Sequence, residues 1–476
     1  MKKFKLIFAT LVAALFTFAG GKALAYDITI NNGGSGTYES YQIFTGDLST
    51  DETTLSNIKW GNGITDAGKA ALQTKYSASS AAEIAEKLGD NAVDADEFAK
   101  EAGKYLQNAG GLTGLAAGYY LVQNKTVGDH EAYTNYILKV VKNVTVEPKT
   151  DTPTVEKKVK DINDSESTTT TGWQDSADYD INDDVPFQLT ATLPNNFATY
   201  DEYYLEFADT LSSGLTYNKD AKVFLVNGGD ETDVTSSFTI AEDGSSFKIN
   251  NLKSITGVTA SSKIVVRYTA KLNSNAVIGS AGNPNTVKLI YSNNPNATGT
   301  GETTPDTVVV FTYKVVVNKV DQDNKPLSGA GFTLYKKVHD TSKAEGYRWD
   351  AVGDEITGGT TFTFSGIDDG DYKLVETTTP NGYNTIDDVK FTVTADHDVT
   401  SDSPALKSLS GVDSTGKITF NSNTSEGSLT APVPNTKGSI LPSTGGMGTK
   451  VLYALGVVLI LIAGVLIVTK KRMEVK

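Results

Sequence analysis

Residues 203–211 read YYLEFADTL, a segment in which Leu205 and Phe207 alternate with polar or small neighbours such as Glu206. Alternation with a period of two is typical of a β-strand that buries one face. Similar runs recur across residues 153–313, separated by clusters of Gly, Asn, Asp and Ser: VPFQLTATLP, KVFLV, SFKINNL, SKIVVRYTAKL, NTVKLIYSNNP and TVVVFTY. Many short strands at this spacing predict a β-sandwich.

The segments on either side extend this prediction. Residues 314–437 repeat the strand pattern in a smaller unit. Residues 26–148 mix strand-like runs with two segments, 79–88 and 94–107, whose apolar residues recur every three or four positions. That spacing is typical of short amphipathic helices. We therefore predict a mainly β protein of tandem immunoglobulin-like β-sandwich domains at 26–148, 149–313 and 314–437, the first with short helices.

The amino-acid composition argues against several classes of function. The 476 residues carry a formal charge of −15, which argues against nucleic acid as a partner. The chain has no cysteine, so its domains cannot be stabilised by disulfides. His130, His339 and His397 are its three histidines and are widely separated in sequence, which leaves little material for a histidine-based metal site or catalytic triad. We expect no metal, no cofactor and no enzymatic turnover.

The N-terminus has the features of a secretory signal peptide. Three lysines are followed by an apolar run at residues 6–18 and by small residues at Ala23 and Ala25. This order predicts a signal peptide at residues 1–25, so that the mature chain begins at Tyr26.

The C-terminal region, residues 438–476, combines three features in order. The motif LPSTG is followed by an apolar segment at 451–469 and by the basic cluster KKR. The apolar segment can cross a bilayer as a helix, and the basic cluster holds the tail inside. This order resembles the sorting signal of Gram-positive sortase substrates, which implies cleavage between Thr444 and Gly445 and transfer of the Thr444 acyl group to an amine. The sorting-signal residues are Leu441, Pro442, Ser443, Thr444 and Gly445.

A motif in the last domain carries a second resemblance. Residues 372–383, YKLVETTTPNGY, resemble the E-box of Gram-positive pilins, whose domains have the collagen-adhesin type B (Cna B) fold. In that fold an intramolecular isopeptide bond joins a lysine of the first strand to an asparagine of the last strand. The resemblance implies a bond between Lys319 and Asn435, with Glu376 as the acid.

Strand parity supports the same three residues independently. Lys319, Glu376 and Asn435 each share the face of their strand with apolar neighbours. Because burial disfavours charge, we expect a neutral, nucleophilic lysine and a protonated glutamate that polarises the asparagine through its amide oxygen. Attack of the amine then releases ammonia and leaves an amide bond.

The middle domain offers a second set of residues. In PTVEKKV, alternation with valine turns Lys157 inward and leaves Lys158 and Lys160 outward. Downstream, NTVKLIYSNNP resembles a segment of pilin middle domains of the collagen-adhesin type A (Cna A) kind. Parity in this segment selects Asn293 over Asn294 as the partner of Lys157.

The acid of the middle domain is chosen by the same criterion. Asp209 shares the inward face of YYLEFADTL and is the predicted acid. Asp180, Asp183 and Asp184 in YDINDDV stay open as alternatives.

A further lysine lies between the first two domains. Lys149 in NVTVEPKT resembles the pilin motif Val-x-Pro-Lys, with Glu147 in place of the usual tyrosine. In that motif the lysine attacks the sortase acyl-enzyme during polymerisation, so Lys149 must be exposed, and Pro148 stiffens the approach to it.

Together the three features resemble the backbone (major) pilin of a sortase-assembled Gram-positive pilus. The resemblance implies a covalent polymer of identical subunits on the cell surface, in which a pilus-specific sortase joins Thr444 of one subunit to Lys149 of the next. A housekeeping sortase would attach the polymer to peptidoglycan, and minor pilins and host surface ligands are the other implied partners. Two alternatives stay open: a monomeric wall-anchored adhesin for a host matrix ligand, and a minor pilin at the base or tip.

Overall fold

The computed structural model describes residues 25–31, 35–147, 151–166, 171–438 and 447–473. Within these ranges the chain is mainly β, as predicted, with separate hydrophobic cores along its length and a helix at its C-terminal end. The predictions for residues 1–24 of the signal peptide, for Lys149 and for the LPSTG motif lie outside the described residues.

The first unit packs helices against a sheet. Its elements are β1 (Ile28–Ile30), β2 (Thr37–Leu48), β3 (Leu55–Trp60), α1 (Asp66–Lys75), α2 (Ala81–Gly89), α3 (Ala95–Gly103), β4 (Gly118–Thr126), β5 (Asn135–Val140) and β6 (Val144–Val146). One sheet has the antiparallel order β3-β2-β4-β5, and β1 pairs with β6 in parallel. The sequence predicted α2 and α3, whose inward faces are apolar, but not α1, which buries Gly68 and Leu72.

The middle unit is a sandwich of two sheets. Its strands are β7 (Val155–Val159), β8 (Ser176–Asp178), β9 (Asp184–Thr192), β10 (Leu205–Leu211), β11 (Leu215–Tyr217), β12 (Lys222–Asn227), β13 (Asp230–Asp233), β14 (Thr239–Ile240), β15 (Ser246–Ile249), β16 (Lys263–Leu272), β17 (Asn283–Ser292), β18 (Thr300–Glu302) and β19 (Asp306–Phe311), with short 3-10 helices at Phe197–Thr199, Thr235–Ser237 and Leu252–Ser254. One sheet runs β13-β12-β16-β9-β7 with β11 beside β16, and the other runs β14-β15-β10-β17-β19-β8 with β18 beside β17. The alternating apolar residues of both sheets form one core between them.

The last unit repeats this plan with fewer strands. They are β20 (Tyr313–Asp321), β21 (Gly331–His339), β22 (Tyr347–Ala351), β23 (Ile356–Thr357), β24 (Thr361–Ile367), β25 (Gly370–Thr378), β26 (Val389–His397), β27 (Leu406–Asp413), β28 (Asn421–Asn423) and β29 (Ser428–Asn435). The sheets have the orders β24-β20-β29-β28 and β22-β21-β25-β26-β27, with β23 beside β21. The first and last strands, β20 and β29, are parallel neighbours, so both ends of the unit lie in one sheet.

The C-terminal helix, α4, covers Met447–Met473. Its segment Val451–Lys471 has a mean hydropathy of 3.1 and is long and apolar enough to cross a membrane. This segment includes the apolar stretch singled out in the sequence.

Candidate isopeptide sites

The last unit brings its three predicted residues together. Lys319 on β20, Glu376 on β25 and Asn435 on β29 are all buried. Lys319 Nζ donates to Asn435 Oδ1 and, at 2.8 Å, to the carbonyl of Val433, and it lies 3.9 Å from Glu376 Oε1. Asn435 Nδ2 donates to Glu376 Oε1 at 2.9 Å and to Oε2 at 3.1 Å. The nucleophile, the acid and the amide therefore form one closed cluster.

The electrostatics of this cluster favour amide exchange. Burial lowers the pKa of Lys319 to about 8, against the opposing effect of the Glu376 charge. In its neutral form the amine of Lys319 can attack the side-chain carbonyl carbon of Asn435, and Glu376 takes up one proton from the attacking nitrogen. Glu376 then returns that proton to the departing amide nitrogen, the C–N bond to this nitrogen breaks, and ammonia leaves.

The structure alters one detail of the expected chemistry. The sequence-based prediction placed Glu376 against the amide oxygen of Asn435, whereas its carboxyl contacts the amide nitrogen, Nδ2. Glu376 therefore faces the leaving group, and the carbonyl oxygen faces Lys319. The acid is placed to transfer a proton to the leaving nitrogen rather than to polarise the carbonyl.

The lowered pKa of Lys319 predicts a pH dependence for bond formation. Below pH 8 the amine is mostly protonated and has no lone pair, so the rate should rise about tenfold per pH unit between pH 5 and 7 and level off above pH 8. Full-length chain purified unfolded and without the bond can be refolded across this range and followed by intact mass, because each bond removes one ammonia. A rate that stays flat between pH 6 and 8 would contradict this role for Lys319.

The middle unit contains a similar cluster built from four strands. Lys157 on β7, Asp209 on β10, Tyr268 on β16 and Asn285 on β17 are all buried. Lys157 Nζ donates to Asp209 Oδ1 and lies 3.2 Å from the Tyr268 hydroxyl oxygen. That hydroxyl donates to Asp209 Oδ2 at 2.5 Å and accepts from Asn285 Nδ2 at 2.7 Å. Tyr268 thus connects the amine, the acid and an asparagine.

The environment of this cluster suits the same reaction. Burial lowers the pKa of the Lys157 amine, against the opposing charge of Asp209. The rings of Phe187 and Tyr268 each lie 5.6 Å from Lys157 Nζ and exclude water from it. Asn285 Oδ1 has no hydrogen-bond partner among the described residues, so its side-chain carbonyl is not engaged by another group.

The predicted partner of Lys157, Asn293, lies elsewhere. Asp209 pairs with Val287 in the register of β10 and β17, and Asn293 follows the far end of β17, about 26 Å along the strand from Asn285. Its backbone there bonds to Tyr133 and to Gly299. The choice of Asn293 is therefore corrected to Asn285, and the bond itself remains a proposal.

The alternative acids lie away from Lys157. Asp180 accepts from Lys336 at 2.5 Å, where the middle unit meets the last one. Asp183 is part of the same acidic group, and Asp184 pairs with Lys271 at 2.9 Å on the surface. Within the described residues, Asp209 is the carboxylate that the side chain of Lys157 contacts.

Two candidate functional residues, Asn285 and Tyr268, were not predicted from the sequence. Asn285 has the same parity as Val287 and Leu289, so the pattern that favoured Asn293 also fitted Asn285. Tyr268 follows a run of apolar residues on β16 and is indistinguishable there from an ordinary core aromatic. A polar residue on an otherwise apolar strand face was the one signal that could have identified Asn285.

Comparisons with known proteins find matches to two pilin-related families. Residues 181–295 match the family of Gram-positive pilin backbone subunit 2, Cna-B-like domain, and residues 313–404 match the SpaA prealbumin-like fold domain. The match to a Cna-B-like family differs from the type A resemblance inferred for the middle domain. The fold and these matches make the chain similar to pilin-type surface proteins built from β-sandwich units.

One protein and one solved structure illustrate this similarity. The trypsin-resistant surface T6 protein of Streptococcus pyogenes serotype M6 is 26% identical over 421 residues, covering 72% of each chain. The structure of the T6 backbone pilin of serotype M6 Streptococcus pyogenes matches with a TM-score of 0.53 and 18% identity, covering 89% of this chain and all of that one. The chain is thus similar to backbone pilins of Gram-positive bacteria.

Proposed function

We propose that this chain is the shaft subunit of a covalent surface pilus, polymerised between Thr444 of one subunit and Lys149 of the next. The observation that carries the proposal is the buried cluster of Lys319, Glu376 and Asn435, which joins the parallel first and last strands of the last unit. A covalent bond between these strands would prevent them from separating when tension is applied at the two ends of the unit. The relationship to backbone pilins supports the same role.

The positions of the proposed bonds fit this mechanical role. If force enters each subunit at Lys149 and leaves at Thr444, the middle and last units carry it and the first unit does not. Both units in this force-bearing path contain a buried lysine beside an acid and an asparagine. In the described part of the first unit no lysine is buried, which supports a first unit without such a bond.

The proposal includes the partners that assembly requires. A pilus-specific sortase would form the Thr444 acyl-enzyme that Lys149 resolves, and a housekeeping sortase would attach the finished polymer to peptidoglycan. Before cleavage, α4 would hold the precursor in the membrane. Minor pilins and a host surface ligand complete the set, and the subunit acts as a substrate and a self-crosslinking structural element rather than an enzyme.

Replacing Lys149 with alanine should abolish the polymer. The amine that resolves the sortase acyl-enzyme is then absent, so the ladder of high-mass species in cell-wall extracts should collapse to the monomer. Lys142→Ala removes an exposed lysine nearby and serves as the matched control, which should keep the ladder. Immunoblots of wall extracts from producing cells measure the result.

Other outcomes distinguish the alternatives. A single band in the parent strain would favour a monomeric wall-anchored adhesin. A parent ladder that persists in the Lys149→Ala strain would place the linkage at another lysine, and incorporation of one copy per polymer would indicate a minor pilin.

A further inference from the structure

Buried charges lie where the middle unit meets the last one. Strand β19 ends at Phe311 and β20 begins at Tyr313, so one residue connects the two units. Two groups of acidic side chains from the middle unit face the last unit at this junction. Each group meets a basic side chain there, but the two basic side chains differ.

The first acidic group has a permanent counter-charge. Lys336 of the last unit is buried, and its Nζ lies 2.5 Å from Asp180, 2.6 Å from Asp368 and 3.3 Å from Asp164. An ammonium ion already occupies the position that a metal cation would take. This group therefore needs no further ligand.

The second acidic group has only an imidazole. His397 Nε2 lies 3.8 Å from Asp161 Oδ2 and 3.8 Å from Asp178 Oδ1, and one ligand atom from each of the three residues lies within 4.8 Å of the others. These separations exceed those of a hydrogen bond, which an imidazolium would form at about 2.7–3.2 Å. They suit ligand atoms arranged around a shared cation, each about 2.0–2.2 Å from the metal.

The other nitrogen of His397 fixes the orientation of the ring. Ser176 Oγ donates its single proton to the carbonyl of Asp398 at 2.5 Å, so it must accept from His397 Nδ1, which lies 2.7 Å away. The proton therefore resides on Nδ1, and Nε2 is the ring nitrogen that faces the two carboxylates. A hydrogen bond from the distal ring nitrogen is the usual support of a metal-binding histidine.

Asp178 provides the second, independent observation. Its side chain is almost completely buried, and its Oδ2 has no hydrogen-bond partner among the described residues. A buried carboxylate with an unpaired oxygen beside a second carboxylate is costly, because both desolvation and like-charge repulsion oppose it. A bound cation removes both costs.

We propose that Asp161, Asp178 and His397 bind a divalent first-row transition metal, Mn²⁺ or Zn²⁺, with water at the remaining positions. One imidazole with two carboxylates suits these metals, whereas Ca²⁺ prefers oxygen ligands throughout. The three ligands come from two units, so the metal fastens the middle unit to the last one. Sequence separation hid the site, because His397 meets the two aspartates only when the units pack together.

The test is metal binding by the full-length chain purified in detergent. After chelation and dialysis, calorimetric titration with Zn²⁺ and with Mn²⁺ should show one site, and Asp178→Asn and His397→Gln should each lower its affinity at least ~100-fold. Asp164→Asn alters the neighbouring acidic group instead and should leave the affinity unchanged. Native mass spectrometry should find one metal ion per chain in the parent and in the Asp164→Asn variant.

Three outcomes would overturn the proposal. One is a parent chain that binds these metals no better than Asp178→Asn, and another is an equal loss of affinity in Asp164→Asn. The third is binding that is as tight for Ca²⁺ and that survives His397→Gln. Near-UV circular dichroism establishes that the variants are folded, and Asp161→Asn replaces any variant that is not.

Discussion

Asn285→Ala should prevent the proposed covalent bond of the middle unit, whereas Asn293→Ala should leave that bond in place. The first substitution removes the amide that lies beside Tyr268 and Asp209, and the second removes one about 26 Å away. Intact-mass measurement should therefore find that Asn285→Ala has lost one ammonia fewer than the parent chain. Tryptic digestion should yield a cross-linked peptide containing Lys157 and Asn285 from the parent.

The lost bond should also lower thermal stability. It encloses more than 100 residues between Lys157 and Asn285, and closing a loop of that length restricts the unfolded chain by about 4–5 kcal/mol. For a unit of this size the unfolding midpoint should fall by roughly 10–20 °C. Differential scanning calorimetry measures the shift, with Asn293→Ala as the control.

The opposite result would favour Asn293, the partner of Lys157 predicted from the sequence. If Asn293→Ala loses the bond and Asn285→Ala retains it, the register of β10 and β17 does not determine the chemistry. If the parent chain and both variants have lost the same number of ammonia molecules, the middle unit forms no bond. Lys157 is then only a buried partner of Asp209.

Glu376→Gln should prevent the bond in the last unit while preserving its shape. The substitution keeps the side-chain volume but removes the group that accepts and returns a proton, so Lys319 and Asn435 should remain unjoined. The chain should be heavier than its bonded form by one ammonia, and the midpoint of the last unit should fall by about 10–20 °C. Resistance to trypsin should fall with it.

A matched control separates chemistry from general destabilisation. Glu355→Gln alters an exposed glutamate of the same unit that accepts from Thr377 and Thr378, and it should keep both the bond and the midpoint. A Glu376→Gln chain that still loses ammonia at the parent rate would show that Glu376 is not the acid.

Strand parity was a good guide to which residues are buried. It turned Lys157, Asp209, Lys319, Glu376 and Asn435 inward, and all five are buried in the structure. Parity repeats every two residues, so it gives the face of a strand but not the position along it. Asn285 and Asn293 differ only in that position, which is set by pairing with a strand far away in sequence.

Contacts that depend on packing between units could not be predicted from the sequence. The acids of YDINDDV stayed open as alternatives for the middle cluster, yet Asp180 contacts Lys336 of the last unit. His397 looked isolated, and its meeting with Asp161 and Asp178 depends on how two separate sandwiches pack. No local pattern encodes such contacts.

The position of Asn285 has a consequence for how far a pilus can stretch. With the proposed bonds in place, residues 158–284 and 320–434 lie inside covalent loops and cannot lengthen the subunit. Residues 286–318 lie between the two bonds and include most of β17, all of β18 and β19, and most of β20. Fully extended, this segment reaches roughly 110 Å. Each subunit would thus contain a short elastic tether whose strands unzip under high force and pair again when the force is released.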